Sequence, residues 1–501
     1  MPSQPNILFI MSDDHAAHAM SCYGSRINRT PQIDRIAEGG MRFDNCFCTN
    51  SICTPSRAVI LAGTYNHING VTTLSTPMDN RLLTFPKLLQ QAGYQTALFG
   101  KWHLGIGPDH CPTGMDDWAV LPGQGLYHDP EFIFAGPDGG QRRVVEGYVT
   151  DIITDMCLDW LQRRDRERPF CLFCHHKAPH RPWEPDDKHA DMYADVEIPE
   201  PETLFDDYAE RAAAAAAAEM RVGVHMTETD LKTEIPHHLP EPELRRWAYQ
   251  RYMKEYLRVV ASIDDNVGRL LDALDAEGLT ENTLVIYTSD QGFFLGDHGW
   301  YDKRFMYEES LRMPLILRYP AMVAPGSANQ DLVLNVDFAP LFLDLAGVPV
   351  PESFQGRSLL PLLQGQTPTD WRQSLYYRYW MHKGAPQRLR SLWLAHPSLQ
   401  AHLLLCQRPG PDRRHRRDVR ARVGAVRSRT RSLRAAQRLC QSRICRCRPQ
   451  SQGGVASAAS RAGRRAIPQG YRRRMTRELT RQKKTIISTP FYRSSCISKI
   501  Y

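Results

Sequence analysis

Three strongly apolar runs, each ending abruptly in polar or charged residues, constrain this chain more than any other feature. Residues 6–11 run into Ser12-Asp13-Asp14-His15, residues 94–99 into Gly100-Lys101-Trp102-His103, and residues 283–288 into Ser289-Asp290-Gln291-Gly292. A strand that is apolar on both faces must be covered on both faces, which is the condition of a parallel strand between helical layers. Helical patterns fall between the runs. Residues 31–38 carry Pro31 at the first position and Gly39-Gly40 as a stop, and 82–91 stop at Gly93. Residues 150–163, 243–277 and 339–345 read as further helices, and the alanine run 212–218 as a surface helix. More strands are expected at 41–48, 169–174, 313–318 and 332–336, and a short helix at 56–61. This alternation predicts an α/β fold, a large and mostly parallel sheet sandwiched by helices. In such sheets ligands gather at the carboxyl ends of the strands, where all three polar clusters fall.

The charge balance divides the chain. The net charge of +8 averages two unlike regions: from Arg388 onward there are 29 Lys+Arg against 3 Asp+Glu, leaving 34 against 52 elsewhere. The seam lies near Gly384, and sustained periodicity ends there. The sequence therefore divides into a patterned region over 1–370, a short stretch over 371–384, and an Arg-rich tail over 385–501. The tail is rich in Arg, Ser, Cys, Ala and Gln, as GC-rich coding DNA read out of register would be. A shifted frame is favoured over a disordered tail or a nucleic-acid arm, and no nucleic-acid partner is expected. The 13 cysteines are scattered. Cys171 and Cys174 have the spacing of a metal knuckle, but without a second pair at zinc-site distance they read as part of a buried strand. The N-terminus enters its first strand without a charged or apolar leader, and no apolar run reaches membrane-spanning length. No membrane association and a cytoplasmic location are expected, or a periplasmic or secreted one if translation begins upstream.

Cys53-Thr54-Pro55-Ser56-Arg57 precedes the short helix expected at 56–61, and a helix N-terminus favours an oxyanion. Taken singly, the other polar residues have ordinary readings. Asp13-Asp14 suits a helix cap as well as a metal, His103 or His180 suits a structural histidine, and Lys303 suits a surface lysine. Trp102, Trp183 and Trp300 fit core packing as well as stacking on a sugar. Together, however, Ser12-Asp13-Asp14-His15, the stretch 50–57, Gly100-Lys101-Trp102-His103, Lys177-Ala178-Pro179-His180 and the stretch 288–303 resemble the type I, formylglycine-dependent sulfatases of the alkaline phosphatase superfamily. The resemblance runs in family order from about residue 6 to about residue 383. It implies a catalytic domain over 1–370 and, over 371–384, the start of a small C-terminal antiparallel subdomain, which the tail leaves truncated or misformed with 374–380 a first strand without a partner. Within the family it is nearest to bacterial carbohydrate sulfatases acting on 6-O-sulfated N-acetylglucosamine.

The resemblance implies that a sulfatase-maturing enzyme reads the Cys53 motif and oxidises the cysteine to formylglycine. The hydrated aldehyde would attack sulfur, hold the sulfate covalently and release it by collapsing back. Asp13, Asp14, Asp290 and Gln291, with the group made from Cys53, would hold one divalent cation, calcium by family precedent. Gln291 stands where many relatives carry Asn or His. Arg57 would anchor the nucleophile, Lys101 and Lys303 would bind sulfate oxygens, His180 would protonate the departing sugar oxygen, and His103 would help expel sulfate. A sulfated glycan is the expected substrate. The alternatives are another sulfated glycan, an aryl sulfate, or the phosphonate monoesters and phosphodiesters that related formylglycine enzymes cleave.

Overall fold

Strand β1 (Asn6–Ser12) is buried along its whole length, and its side chains divide by parity. Ile7, Phe9 and Met11 enter one hydrophobic core and Leu8 and Ile10 enter another. Alternating side chains on a pleated strand must do this when both faces are covered, and fully burying each Ile, Leu or Phe contributes about 1.5–3 kcal/mol. The computed structural model describes residues 4–209 and 211–381 and three short strands within 389–407.

The remaining strands of the main sheet are β2 (Met41–Phe43), β3 (Gln95–Lys101), β4 (Asp117–Leu121), β5 (Glu131–Phe134), β6 (Gln141–Val144), β7 (Phe170–His175), β8 (Thr283–Ser289), β9 (Leu315–Arg318) and β10 (Ser327–Asn329). Their order across the sheet is β10-β2-β9-β8-β1-β7-β3-β4-β5-β6. The central five, β8, β1, β7, β3 and β4, are mutually parallel. β9 runs antiparallel to β8 and β2, and β5 and β6 form an antiparallel edge.

Helices α1 (Pro31–Glu38), α4 (Val149–Arg163) and α5 (Glu241–Ala276) cover the face of Leu8 and Ile10. Helices α2 (Cys53–Ala62), α3 (Phe85–Gln91) and α6 (Phe338–Leu345) cover the face of Ile7, Phe9 and Met11. The α/β sandwich predicted from the alternating pattern is therefore the architecture found.

Register brings the polar clusters together. Ser12 lies opposite Ser289, Met11 opposite His175, and Gly100 opposite His175. The ladder continues one step past the strands: the Asp290 N–H donates to the Ser12 carbonyl at 3.2 Å, and the His176 N–H to that of Met11 at 2.9 Å. Asp13 and Asp290 thus leave the adjacent strands β1 and β8 side by side, and Lys101 ends β3 on the far side of β7 at nearly the same level.

Several local expectations are corrected. The strand expected at 41–48 is two strands, because the chain leaves the main sheet after Phe43 and Cys46–Phe47 pairs with Val333–Leu334. Arg42 holds Asp44 at 2.8 Å and Asn45 donates to the Gln330 carbonyl, fixing the corner. The strand expected at 332–336 stops at Leu334, where Asp337 takes the Leu334 N–H at 2.8 Å and starts a 3-10 turn. The helix expected at 56–61 begins at Cys53 itself, with Pro55 tolerated in the first turn. The alanine run forms only the single turn Ala213–Ala216, with Ala215 and Ala218 buried. Leu375–Tyr377 is not left without a partner, since it pairs antiparallel with Trp393–Ala395. Apart from the three short strands within 389–407, the tail assigned to 385–501 lies outside the described residues. Cys171 and Cys174 are buried and unbridged in β7, as their setting implied. Among the described residues no helix is long and apolar enough to cross a membrane.

Gly100 is the tightest point beside the site. It has φ +107°, and a Cβ there would lie 2.0 Å from the His175 carbonyl oxygen. Gly100→Ala is expected to lower stability by about 2–4 kcal/mol, through left-handed strain and forced separation of β3 from β7. Urea unfolding of parent and variant measures the loss.

Candidate active site

Cys53 opens α2, and every residue of that helix is buried. Arg57 lies one turn later on the same face, as an i, i+4 pair must. The Cys53 Sγ lies 3.2 Å from Asp13 Oδ1 and 3.9 Å from Gln291 Nε2. Arg57 Nε donates to Asp290 Oδ2 at 3.0 Å, and its Nη1 donates to the Lys101 carbonyl at 2.8 Å. Lys101 forms an ion pair with Asp13 and also reaches Gln124. Lys303 donates to both oxygens of Asp14. His180 Nε2 stands 3.7 Å from Asp14 Oδ2. Three carboxylates and three cations are therefore packed together out of water, the condition under which buried charges are tolerated. All the residues singled out in the sequence as site candidates reach this one place except His103, which is tied to it through the backbone. Its carbonyl accepts from Thr54 Oγ1 at 2.9 Å, and its Nδ1 is buried without a hydrogen-bond partner among the described residues.

The turns that deliver these side chains are strained. Asp14 (φ 70°), His103 (φ 56°), Asp302 (φ 75°) and Arg304 (φ 92°) all occupy the left-handed region, which costs a residue with a Cβ about 1–3 kcal/mol. Such strain persists only where neighbours hold it. Asp302 illustrates the hold, accepting from the Lys303 N–H at 2.9 Å and from Arg304 Nη2 at 2.7 Å.

The donor set fits a hard cation. Asp13, Asp14 and Asp290 each place a carboxylate oxygen within 4.8 Å of the others. Gln291 donates its Nε2 to Asp14, leaving Oε1 buried with no partner among the described residues. Burial, with Asp290 and Asp302 nearby, pushes the Asp14 carboxyl up to about 6 against the opposing pull of Lys303. A carboxylate so poorly neutralised is relieved by added positive charge. All-oxygen ligation of this kind suits calcium or magnesium rather than a soft metal.

The electrostatics also bear on Cys53 as it stands. Burial pushes its thiol up to about 12, so the unmodified residue holds its proton near neutral pH and is a poor nucleophile. Burial holds the His180 and His103 imidazoles well below their usual range, with Lys101 and Lys303 adding to the effect. Lys303 is raised despite burial, chiefly by Asp14.

Four contributors escaped the sequence reading. Gln124 holds Lys101, Asp302 and Arg304 frame Lys303, and Lys177 is a buried ammonium 4.0 Å above the Tyr127 ring, pushed down to about 7 by burial. Lys177 and Asp302 lay within stretches already singled out, without a role of their own. Trp183 and Trp300 are fully buried and belong to the core; Trp102 is nearly so and donates to the His110 carbonyl.

A family model described as Sulfatase matches residues 5–348. The chain belongs to the sulfatase family. It is a sulfuric ester hydrolase, and its family generally works with a formylglycine and a divalent metal. An N-acetylglucosamine-6-O-sulfatase of Bacteroides thetaiotaomicron is 46% identical over 75% of this chain and 74% of its own. A solved structure titled as a complex with its substrate D-glucosamine-2-N,6-O-disulfate superposes with a TM-score of 0.73 at 43% identity, covering 79% of this chain and 87% of that one. The phosphonate monoester hydrolase of Agrobacterium radiobacter superposes with a TM-score of 0.64 at 20% identity over 88% of this chain and 96% of that one, which shows the shared fold.

Two buried histidines outside the proton-transfer pair are expected to make the sulfatase acid-sensitive. Burial lowers His15 to about 3, its Nδ1 lying 2.6 Å from the Tyr287 hydroxyl, and burial holds His175 well below its usual range. Because these folded-state pKa values are depressed, the stability they contribute is present above the unfolded value of about 6.5 and is lost as pH falls towards the folded one. Unfolding free energy is expected to drop from pH 6.5 to 4.5 by up to about 1.4 kcal/mol per pH unit per histidine. Urea titrations at each pH test this, and a flat profile would refute it.

Proposed function

We propose that this sulfatase removes the 6-O-sulfate from N-acetylglucosamine or glucosamine units of a sulfated glycan. The sulfatase of known specificity at 46% identity supports the sugar and the position, as does the solved neighbour bound to a 6-O-sulfated glucosamine. The observation that carries the chemistry is the meeting of Cys53, Asp13, Lys101 and Lys303 in one water-poor cluster.

In this reading a sulfatase-maturing enzyme converts Cys53 to formylglycine, whose hydrate supplies the hydroxyl nucleophile that a buried thiol does not. Asp13, Asp14, Asp290 and Gln291 would hold a calcium ion, which supplies fixed positive charge beside nucleophile and sulfate. Lys101 and Lys303 bind the sulfate oxygens. Substrate docking draws these two ammonium groups from Asp13 and Asp14 towards the charge that develops on the ester. Arg57, locked between Asp290 and the Lys101 carbonyl, holds the first turn of α2 and its nucleophile in place.

His180 transfers the proton to the sugar oxygen. Its Nδ1 faces the Arg181 carbonyl at 2.6 Å. A carbonyl only accepts, so Nδ1 carries hydrogen and Nε2 is the atom that takes and gives the catalytic proton. The bound sulfate offsets the lysines that depress His180 and so favours its protonated form. His103, its Nδ1 otherwise unpartnered among the described residues, takes the second proton when sulfate leaves.

Co-expressed with a maturing enzyme, the parent is expected to release sulfate from 6-O-sulfated N-acetylglucosamine, and Cys53→Ala to release none. Lys303→Ala is expected to lose about 10²–10³-fold in kcat/KM. Chelation should abolish turnover and calcium restore it. A panel adding aryl sulfates and a phosphonate monoester tests the substrate assignment, and faster cleavage of the phosphonate would overturn it.

A further inference from the structure

Tyr377 lies on the short strand Leu375–Tyr377, outside the segments that supply the nucleophile, the cation ligands or the sulfate-binding lysines. It is fully buried, and its single hydroxyl is used twice. The Oη accepts the Ser51 N–H at 3.3 Å and donates to the Arg304 carbonyl at 2.7 Å. Ser51 stands two residues before Cys53, and Arg304 comes directly after Lys303. One hydroxyl therefore joins the backbone of the loop that carries the nucleophile to that of the loop that carries a sulfate-binding lysine. A buried tyrosine usually finds some partner for its hydroxyl; what sets this one apart is that both partners are main-chain atoms of catalytic loops.

The surroundings reinforce the bridge. The Arg378 N–H donates to the Thr49 carbonyl at 3.1 Å, a second tie to the loop before Cys53. Arg304 Nη1 reaches the Tyr379 hydroxyl at 3.4 Å while its Nη2 holds Asp302. The lysine loop needs such anchors, because Asp302 and Arg304 both sit at positive φ on either side of Lys303. Burial raises the Tyr377 phenol well above its ordinary value, so it remains a donor through the range in which an enzyme is assayed.

We propose that Tyr377 is a positioning residue for desulfation, its hydroxyl fixing the separation between the Cys53 loop and the Lys303 loop. The inference rests on the roles given above to Cys53 and Lys303, and the test separates the two. Tyr377→Phe keeps the ring and removes only the bridge. In full-length, matured protein with formylglycine content checked by mass spectrometry, it is expected to lower kcat/KM about 10-fold or more. In a Lys303→Ala background the same change is expected to cost less than twofold, because there is no longer a lysine to position. Tyr376→Phe, on the same strand but packed against Tyr65 and His67, is expected to stay within twofold of the parent. Hydrogen exchange supplies a readout independent of turnover: amides around 51 and 304 should exchange faster in Tyr377→Phe while those of β1 do not change. Parental activity in Tyr377→Phe, an equal loss in both backgrounds, or unchanged exchange at both loops would overturn the bridge. An active Cys53→Ala protein would instead overturn the assignment of the nucleophile.

Discussion

Everything in this structure depends on keeping a cluster of opposed charges dry. Asp13, Asp14, Asp290 and Lys101 are fully buried and Arg57 and Lys303 nearly so. Each ion taken out of water costs several kcal/mol unless a partner of opposite sign sits within hydrogen-bond reach. The partners come from four distant parts of the sequence, so neutrality is met only when the sheet is in register. Ser12 must lie opposite Ser289 for Asp13 and Asp290 to emerge side by side. A slip of one residue would turn the side chains to the other face and leave buried carboxylates uncompensated. The apolar runs that build the cores and the charges at their ends thus specify the same register, and each penalises the errors of the other.

The cluster also explains where the backbone is strained. A strand delivers its last side chain perpendicular to the sheet, whereas a centre built above the strand ends needs side chains pointing inward over the edge. The chain achieves this by turning sharply at Asp14 and His103, immediately beyond β1 and β3, in conformations that residues with a Cβ avoid. Hydrogen bonds from outside each turn hold them. The Asp14 N–H donates to Asp290, the Asp14 carbonyl accepts from Tyr256, and Thr54 donates to the His103 carbonyl. Function and strain coincide because the same geometry demands both.

This arrangement also decides which residues are legible in the sequence. Asp13, Lys101 and Asp290 were legible because each terminates an apolar run, and the run itself says where its end lies in the sheet. The Cys53 motif was legible because its residues act through local spacing along one helix. The strands β4, β5 and β6 were not, since they are short and the edge strand β6 (Gln-Arg-Arg-Val) is exposed and almost wholly polar. Gln124 and Tyr377 gave no signal because their roles are contacts between segments far apart in the chain, and Asp302 lay inside a recognised stretch with nothing to mark it as the group that holds the turn at Lys303. The tryptophans were ambiguous for the opposite reason: they neighbour site residues in sequence, yet Trp300 packs in the core. The C-terminal strand Leu375–Tyr377 was expected to lack a partner because its partner, Trp393–Ala395, lies beyond Gly384, where local pattern fades.

Gln291 shows how the charge constraint reaches down to a single side chain. A neutral amide at this position adds an oxygen donor without adding charge, so the three carboxylates alone set the negative side of the cluster. Against Lys101, Lys303 and Arg57 they come to balance, and a divalent cation leaves the centre net positive. That is the sign required to hold a sulfate ester and the charge that grows on it in the transition state. A fourth carboxylate in place of Gln291 would cancel part of that excess and place a like charge beside Asp14, whose carboxyl burial already pushes up to about 6. The amide also orients itself. Its Nε2 is committed to Asp14, which leaves its Oε1 buried with nothing else to bind among the described residues. Substitution by Glu would remove the donor that fixes this orientation and the charge difference on which anion capture depends, although the side chain would scarcely change in size.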